Sequence, residues 1–379
     1  MQISFLTSGH SPYDDRIFYH LAKTLSENGY KVEIVSSKSS LKEIHEGISI
    51  NCFPDNELAK KAKIENFERY LISFDPDIVI CSEPLPVLAA KRYKKNKPGK
   101  VSIIYDITEW YPSKKNLADL KGLSGWFTFL KLLLFNIYSS SISDAFIFGE
   151  WYKSKPYRML FPSKPFSFVT YYPDLRYIPQ KKSSHLAEAL VFSYSGKISI
   201  EKGFENFFRV INTLAKENQE LKISIKIIGW YESDKDKAEC ESFINQEYTN
   251  ISLSFSGRQD FQEFIEEISD TYIFLDLRND DYENQRCLPI RLFYYLALGK
   301  PVIFSDLKAI RHEVETDESI SLIKPGDINN VVKIITQYLQ DPDLYARHCI
   351  NARNLAEKKY NWHRISPDLL QFISSFLSD

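Results

Sequence analysis

The sequence predicts an α/β protein of two domains, each an open parallel sheet flanked by helices. Three observations carry this. Short apolar runs alternate with amphipathic helical patterns along the chain, as crossover units and parallel sheets require. The alternation stops at a polar, proline-containing stretch near the middle and then restarts, as at a boundary between domains. The chain's 379 residues exceed the length at which one hydrophobic core stops growing. The expected divisions are residues 1–180, 181–357 and a terminal helix over 358–379 that packs back toward the first domain. Two such sheets facing each other leave a cleft, and ligands of such sheets bind at the carboxyl ends of the strands.

In order, the first half reads as strand QISFLTS, a helix from about Asp15 to Asn28, strand KVEIVSS, a helix near Asn66, then strands DIVICS, VSIIYDI and AFIFGE. The stretch PDLRYIPQKKSSHLAE, Pro173 to Glu188, has two prolines and neither periodicity, and reads as the linker. The second half gives strand LVFSYSG, a helix from about Phe204 to Asn218, strands KISIKIIG and ISLSFSG, a helix from Phe261, and strand TYIFLDL. Next, LPIRLFYYLALGKPVIFSD reads as a loop, a helix with Pro289 near its start and Gly299 just past its end, and a buried strand. The closing YNWHRISPDLLQFISSFLSD has helical spacing, with Pro367 near the helix start.

Composition removes several classes of function. With 44% hydrophobic and 26% charged residues the chain is globular rather than disordered. A net charge of -2 supplies no basic field for nucleic acid, which is not expected as a partner. Five cysteines, odd in number and without a Cys-x-x-Cys pair, argue against a disulfide framework and a zinc site and fit a reducing cytoplasm. The start, with ISFL directly after Met1 and Gln2, has no signal-peptide pattern. The apolar stretch WFTFLKLLLFNIY from Trp126 is too short to span a bilayer and contains Lys131. It lies in a basic, aromatic-aliphatic segment, KKNLADLKGLSGWFTFLKLLLFNIYSS, that reads either as an interfacial helix or as a core helix with solvated lysines.

Three strand ends carry candidate chemistry. YSGKISIEKGFENFF ends a strand at Gly196 and continues through Lys197, a short loop, Lys202 and Gly203 into a helix. Such a turn presents free backbone N–H groups and a partial positive charge, and two lysines beside it suit a diphosphate; the alternative is two solvated lysines. It is neither a Walker A loop nor a Gly-x-Gly-x-x-Gly fingerprint. In TSGHSPYDDRIF a turn at Gly9 and His10 precedes a helix begun by Asp14 and Asp15, a loop able to approach an anion or a sugar, though a lone histidine is also an ordinary surface residue. IIYDITEWYP ends a strand at Asp106 and carries Thr108 and Glu109. Carboxylates there can accept an acceptor hydroxyl's proton or bind sugar hydroxyls, or simply cap a helix.

The ordered set of motifs resembles the family 4 retaining glycosyltransferases. DDRIFYHLAKTLSENGYKVEIV looks like their D-x-R-I-F opening, YDITEWYP their Y-D-(V/I)-H-E-x-Y-P, GKISIEKG their G-(R/K)-x-x-x-x-(K/R)-G, and LPIRLFYYLALGKPVIFSD their L-P-N-K-L-F-E-Y-x-A-x-G-x-P-V-I-x-S-D. YNW before the last helix is also similar. The resemblance implies a GT-B fold of two Rossmann-like domains, with residues 1–180 on the acceptor side and 181–357 on the donor side. It implies retaining transfer from a nucleoside-diphosphate sugar to a saccharide or lipid-linked saccharide, in surface polysaccharide or glycoconjugate biosynthesis. The enzyme is then expected in the cytoplasm, peripheral on the inner face of the membrane.

By the same resemblance Lys197 and Lys202 hold the donor diphosphate, with N–H groups at the start of the helix after Leu288 and Pro289. Gly196, Gly229 and Arg258 line the donor site, and Arg291 takes the place of the motif's lysine. Gly9, His10, Asp106 and Thr108 fall on the acceptor side. Two positions depart from the pattern. Thr108 stands for the usual histidine, and Tyr294 for the second glutamate of a Glu-x7-Glu pair whose first position is Arg286. A phenol is neutral near pH 7 and cannot stabilise an oxocarbenium ion as a carboxylate does; losing one such contact costs about 10²–10³ in rate. The catalytic candidates are therefore Tyr294 itself, Glu109, and Glu283 in the loop NDDYENQRC, with the donor's own phosphate available to take the acceptor proton. No cofactor is expected beyond the nucleotide sugar as co-substrate. No metal is expected either, because no Asp-x-Asp motif is placed at a strand end. The departures also admit a weakly active or inactive homologue that serves as a nucleotide- or glycan-binding partner subunit.

Overall fold

A computed structural model describes residues 1–55, 58–97, 99–107, 112, 122–180, 189–244 and 249–376. The chain divides into two compact units, Met1–Tyr171 with Ile365–Asp379, and Tyr172–Arg364. In the first unit the chain forms β1 (Gln2–Thr7), a π-helical segment (Asp15–Ala22) continuing as α1 (Lys23–Glu27), β2 (Lys31–Ser36), β3 (Lys42–His45) and β4 (Ile48–Cys52). It continues through α2 (Lys60–Phe74), β5 (Ile78–Cys81), α3 (Pro84–Asn96), β6 (Ser102–Ile107), α4 (Gly122–Ile142), β7 (Ala145–Phe148), α5 (Trp151–Leu160) and β8 (Phe166–Phe168). The eight strands make one sheet in the order β3-β4-β2-β1-β5-β6-β7-β8, parallel except where β3 meets β4.

The apolar runs read from the sequence are the central strands of this sheet. They are buried along both faces, which parallel sheets covered by helices demand. Leu6, Val35, Val79, Ile103 and Phe146 meet Phe67 and Leu71 of α2 and Ala89 and Ala90 of α3 in one core. Where a single helix was expected from Asp15 to Asn28, the first two turns are π-helical. Asp14 caps that segment by accepting from the Arg16 and Ile17 amides, and the Arg16 side chain runs inward to two 2.7 Å bonds with the Asp106 carboxylate.

The second unit holds β9 (Leu190–Lys197), α6 (Phe204–Glu217), β10 (Ile223–Trp230), α7 (Asp234–Ile244), β11 (Ile251–Ser256), α8 (Phe261–Ile268) and β12 (Phe274–Asp276). It goes on through α9 (Arg291–Ala297), β13 (Val302–Ser305), α10 (Lys308–Glu313), β14 (Ile320–Ile323), α11 (Ile328–Gln340) and α12 (Pro342–Lys358), and α13 (Trp362–Ser374) follows. The helix starts at Trp362, with Pro367 inside it rather than near its first turn. Strands pair in two parallel sets, β11-β10-β9 and β12-β13-β14. The Tyr272 amide donates to Val191 O at 2.9 Å and sets the entrance of β12 beside β9. The resulting order, 11-10-9-12-13-14, is the 3-2-1-4-5-6 order of a Rossmann sheet, whose direction of winding reverses between its first and fourth strands. Phe192, Phe204, Phe207, Ile225 and Ile335 lie in the core beneath it.

The stretch read as a linker is partly packed. Asp174 caps a short 3-10 turn over Leu175–Tyr177, Ile178 is buried, and Pro173 O accepts from the Trp362 amide. Its remainder, 181–188, lies outside the described residues.

One buried carboxyl makes the first unit sensitive to pH. Glu33, in β2, accepts from Ser4 Oγ at 3.0 Å and Asn51 Nδ2 at 2.8 Å. Burial outweighs these bonds and raises its pKa from 4.5 to about 7. A carboxyl raised on folding favours the folded state fully below its unfolded pKa and loses that contribution as pH rises through the folded value. Glu33→Gln should therefore stabilise the protein at pH 8, by up to about 3 kcal/mol, and change little at pH 5. Urea unfolding at the two pH values checks this; an equal offset at both would exclude a titrating Glu33.

Candidate functional site

In open α/β sheets the strand order opens a crevice where it reverses. In the second unit this point falls between the carboxyl ends of β9 and β12, where the lysine loop Gly196 to Gly203 faces the segment 277–291. Backbone there approaches more closely than a side chain permits. Gly196 and Gly229 are register partners on β9 and β10, and a Cβ on Gly229 would stand 2.0 Å from Gly196 O. Gly203 has φ +85°, and its Cβ would fall 2.3 Å from Leu277 O. The Tyr194 phenol donates to Lys197 O at 3.0 Å and holds the loop from beneath.

The cations around this crevice are held in two ways. Lys197 Nζ lies 2.9 Å from Glu232 Oε2; burial works against its charge, but Glu232 outweighs it and the pKa is raised. Arg278 is paired with Asp276 by Nε to Oδ1 at 2.7 Å and Nη2 to Oδ2 at 3.1 Å, both side chains buried. Lys202 and Arg291 are different. Lys202 Nζ donates to a neutral acceptor, Asn284 Oδ1, at 2.8 Å. Burial, with the charge of Arg278, lowers its pKa. Arg291 Nη1 donates to Ser195 Oγ at 3.1 Å, and that hydroxyl lies 2.8 Å from the Tyr295 phenol. The Tyr295 ring stacks on Phe274 at 3.7 Å. Gly196 leaves room for the guanidinium, since a Cβ there would sit 2.8 Å from Nη1. Neither Lys202 nor Arg291 forms an ion pair with a carboxylate among the described residues.

Asn284 sets the acceptor that Lys202 meets. It is fully buried, and its Nδ2 donates to Glu201 O and to Asp281 Oδ2, each at 2.8 Å, which leaves Oδ1 turned toward Lys202. Asp281 Oδ1 also accepts from the Glu283 and Asn284 amides, and Asp280 Oδ1 accepts from Gln285 Nε2 at 2.6 Å. Much of the acidic loop read from the sequence thus organises itself, with Glu283 half-buried within it.

The other candidates fall as follows. Leu288 and Pro289 are buried ahead of α9, and the Leu292 and Phe293 amides already donate to Pro289 O and Ile290 O, so the start of this helix offers fewer free N–H groups than the sequence suggested. Tyr294 is buried with its ring 5.5 Å from Phe261; its neighbour Tyr295 is the tyrosine bonded into the crevice. Arg258 is exposed and lies 3.9 Å over the Trp230 ring. Sequence reasoning passed over Ser195, Tyr295, Asn284 and the Asp276/Arg278 pair; the one available signal was the position of Asp276 and Arg278 at a strand end.

In the first unit the order reverses between β1 and β5, and the loops there close on themselves. Glu83, just after β5, accepts from the Ser8 amide at 2.7 Å, the Gly9 amide at 3.1 Å and Thr7 Oγ1 at 2.8 Å. Burial nonetheless raises its pKa. The anion met by the Gly9 turn is therefore the protein's own. His10 lies between two carboxylates, 2.9 Å from Asp14 Oδ2 and 3.5 Å from Glu83 Oε1. Asp106 is fully buried and bound by Arg16, whose guanidinium also donates to Val169 O at 2.8 Å and lies 4.1 Å over Tyr171. Thr108 and Glu109 lie outside the described residues.

Comparison with known proteins agrees with this geometry. Residues 178–355 match the family model described as glycosyl transferases group 1. No curated protein matches the chain by sequence. Among solved structures, the sucrose-phosphate synthase of Thermosynechococcus elongatus superposes with a TM-score of 0.73 at 14% identity, covering 100% of this chain and 99% of that one. Anabaena Alr3699/HepE in complex with UDP gives 0.69 at 13%, covering 99% and 100%. The lipopolysaccharide outer core galactosyltransferase WaaB gives 0.58 at 16%, covering 99% of each chain. The fold is accordingly GT-B, with two Rossmann-like domains, and the family match supports sugar transfer.

The arrangement makes Asn284 the residue that leaves the Lys202 charge unneutralised. Asn284→Asp should raise the Lys202 pKa from its lowered value, because a carboxylate replaces a neutral oxygen 2.8 Å away. A titration followed by NMR of 13C-labelled lysine tests this; an unmoved Lys202 resonance would mean the side chains do not meet.

Proposed function

We propose that the protein is a metal-independent retaining glycosyltransferase of the family 4 kind, transferring a sugar from a nucleoside-diphosphate sugar to a saccharide or lipid-linked saccharide in surface polysaccharide or glycoconjugate biosynthesis. The observation that carries the proposal is the pair of cations at the strand-order reversal, Lys202 and Arg291, each held by a neutral oxygen. Two half-buried positive charges without counter-charges are costly unless an anion joins them. A diphosphate bridging them has the right charge, and the group 1 match over 178–355 points to the same ligand class. The printed complexes of two neighbours agree: Alr3699/HepE with UDP-glucose, and Staphylococcus aureus TarM with UDP and alpha-GlcNAc-glycerol.

Charge drives the chemistry in this reading. As the glycosidic bond breaks, negative charge grows on the leaving diphosphate, and cations fixed in place beforehand stabilise that state more than the ground state. Arg291 is pre-positioned by Ser195 and Tyr295, and Lys202 by Asn284. These cations take the part a divalent ion plays in other transferases. With Tyr294 in place of the glutamate, the donor phosphate takes the acceptor proton, and Glu283 and Glu109 are the carboxylates nearest in sequence to assist.

A second reading has its own observation. The turn and helix that carry the paired glutamates in the family carry Arg286, lying 3.8 Å over Tyr282, and the buried Tyr294. That favours a nucleotide- or glycan-binding subunit with little turnover. A donor panel separates the two: purified protein is incubated with UDP-, GDP-, TDP- and CMP-linked sugars and membrane extract as acceptor, and nucleotide release is followed. The transferase reading predicts release from one donor, lost by about 10²-fold or more in Lys202→Ala and reduced in Tyr294→Phe. Nucleotide binding with no release from any donor would favour the binding subunit.

A further inference from the structure

Helix α4 is inside out. Where it meets its own unit it presents polar side chains: Asn136, Ser139 and Ser140 are buried. Asn136 accepts from the Tyr105 phenol at 3.1 Å and donates to the Tyr157 phenol at 2.8 Å, and Ser139 Oγ donates to Pro84 O at 3.1 Å. Its outward residues are apolar: Trp126 is 57% exposed, Phe127 62%, Leu134 56% and Tyr138 53%. Over residues 124–135 no side chain is buried. A water-facing helix shows the opposite polarity, and a patch of this size marks an interaction surface.

The apolar surface continues beyond α4. Lys164 Nζ donates to Ser140 O at 2.7 Å and Ser141 O at 2.8 Å, which ties the turn before β8 to the end of α4. On that side Met159 is 81% exposed and Leu160 58%. The charge around this surface has one sign. Lys131, Lys155 and Arg158 are exposed, and Lys91 and Lys94 lie near enough to Lys164 to lower its pKa, in the same direction as the larger effect of its burial. The acidic residues from Gly122 to Pro173 are Asp144 and Glu150, and both are in ion pairs, with Lys94 and Lys153.

We infer that this face docks on an anionic phospholipid surface, with α4 lying along the interface, Trp126, Phe127, Leu134 and Tyr138 entering the boundary between headgroups and acyl chains, and the flanking cations meeting lipid phosphates. An apolar strip rimmed by lysine and arginine is what such a surface binds. A second copy of the chain fits less well, because a two-fold contact sets the same patch against itself and would oppose cation to cation. Among the described residues no helix is long and apolar enough to cross a membrane, so α4 lies on the bilayer. The inference stands apart from the transferase reading, since it needs no sugar donor.

The test is co-sedimentation of the whole protein with vesicles of phosphatidylglycerol and phosphatidylcholine, against phosphatidylcholine alone, with its oligomeric state measured by light scattering. The expected result is a monomer that binds the anionic vesicles, with affinity falling as salt rises. Binding should weaken about tenfold or more in Phe127→Ser/Leu134→Ser and in Lys131→Glu/Arg158→Glu, with unchanged circular dichroism because these side chains are exposed. The inference is overturned if the wild type ignores anionic vesicles, if the variants bind as it does, or if the wild type is a dimer that the apolar variant dissociates.

Discussion

The carboxyl ends of β9 and β10 are bare backbone, and the crevice depends on it. Gly229 lies so close to Gly196 that a methyl group there would overlap the Gly196 carbonyl, and Gly203 is pressed against Leu277 in the same way. Because no side chain fills this corner, the loop carrying the lysines folds tightly over the strand end and the Arg291 guanidinium reaches in from α9. Strand order does the rest: reversal between β9 and β12 brings the lysine loop and the 277–291 segment to one edge, although they lie far apart in the chain.

Charge is distributed there by the choice of partner. Lys197 and Arg278 are matched with carboxylates, whereas Lys202 and Arg291 are held by an amide and a hydroxyl. A neutral acceptor fixes a cation in space without cancelling its charge, which is what a site awaiting an anion requires. The first unit resolves the same topology differently. At its own reversal the backbone amides of Ser8 and Gly9 already hold Glu83, and Asp106 is bound in the core by Arg16. Of two Rossmann-like sheets in one chain, the second is the one with unmatched positive charge at its reversal.

Much of this was legible in the sequence, for physical reasons that also mark where legibility ends. Strands buried on both faces appear as unbroken apolar runs, and those of β1, β2, β5, β6, β7, β9 and β10 were read as such. The exposed β3 and the short β4, β8 and β14 gave no such run. Gly196, Gly229, Lys202 and Arg291 stood out because glycines and cations at strand and helix ends have few structural uses. Asn284 did not, since nothing in NDDYENQRC distinguishes an amide buried against another loop from one facing water. Adjacent tyrosines on a helix point different ways, so only coordinates assign Tyr295 to Ser195 and Tyr294 to Phe261. Similarly, the aromatic-aliphatic run of α4 fits a buried helix and an interfacial one equally; its polar inward contacts separate them.

The central claim is that Lys202 and Arg291 together await a diphosphate. Calorimetric titration with UDP, GDP and TDP, each beside its nucleoside monophosphate and nucleoside, tests it without knowledge of sugar or acceptor. The account predicts that one diphosphate binds, that affinity falls steeply on loss of the β-phosphate, and that Arg291→Ala removes most of the difference between diphosphate and monophosphate. Equal affinity for nucleoside and nucleoside diphosphate, or a difference that survives Arg291→Ala, would contradict it.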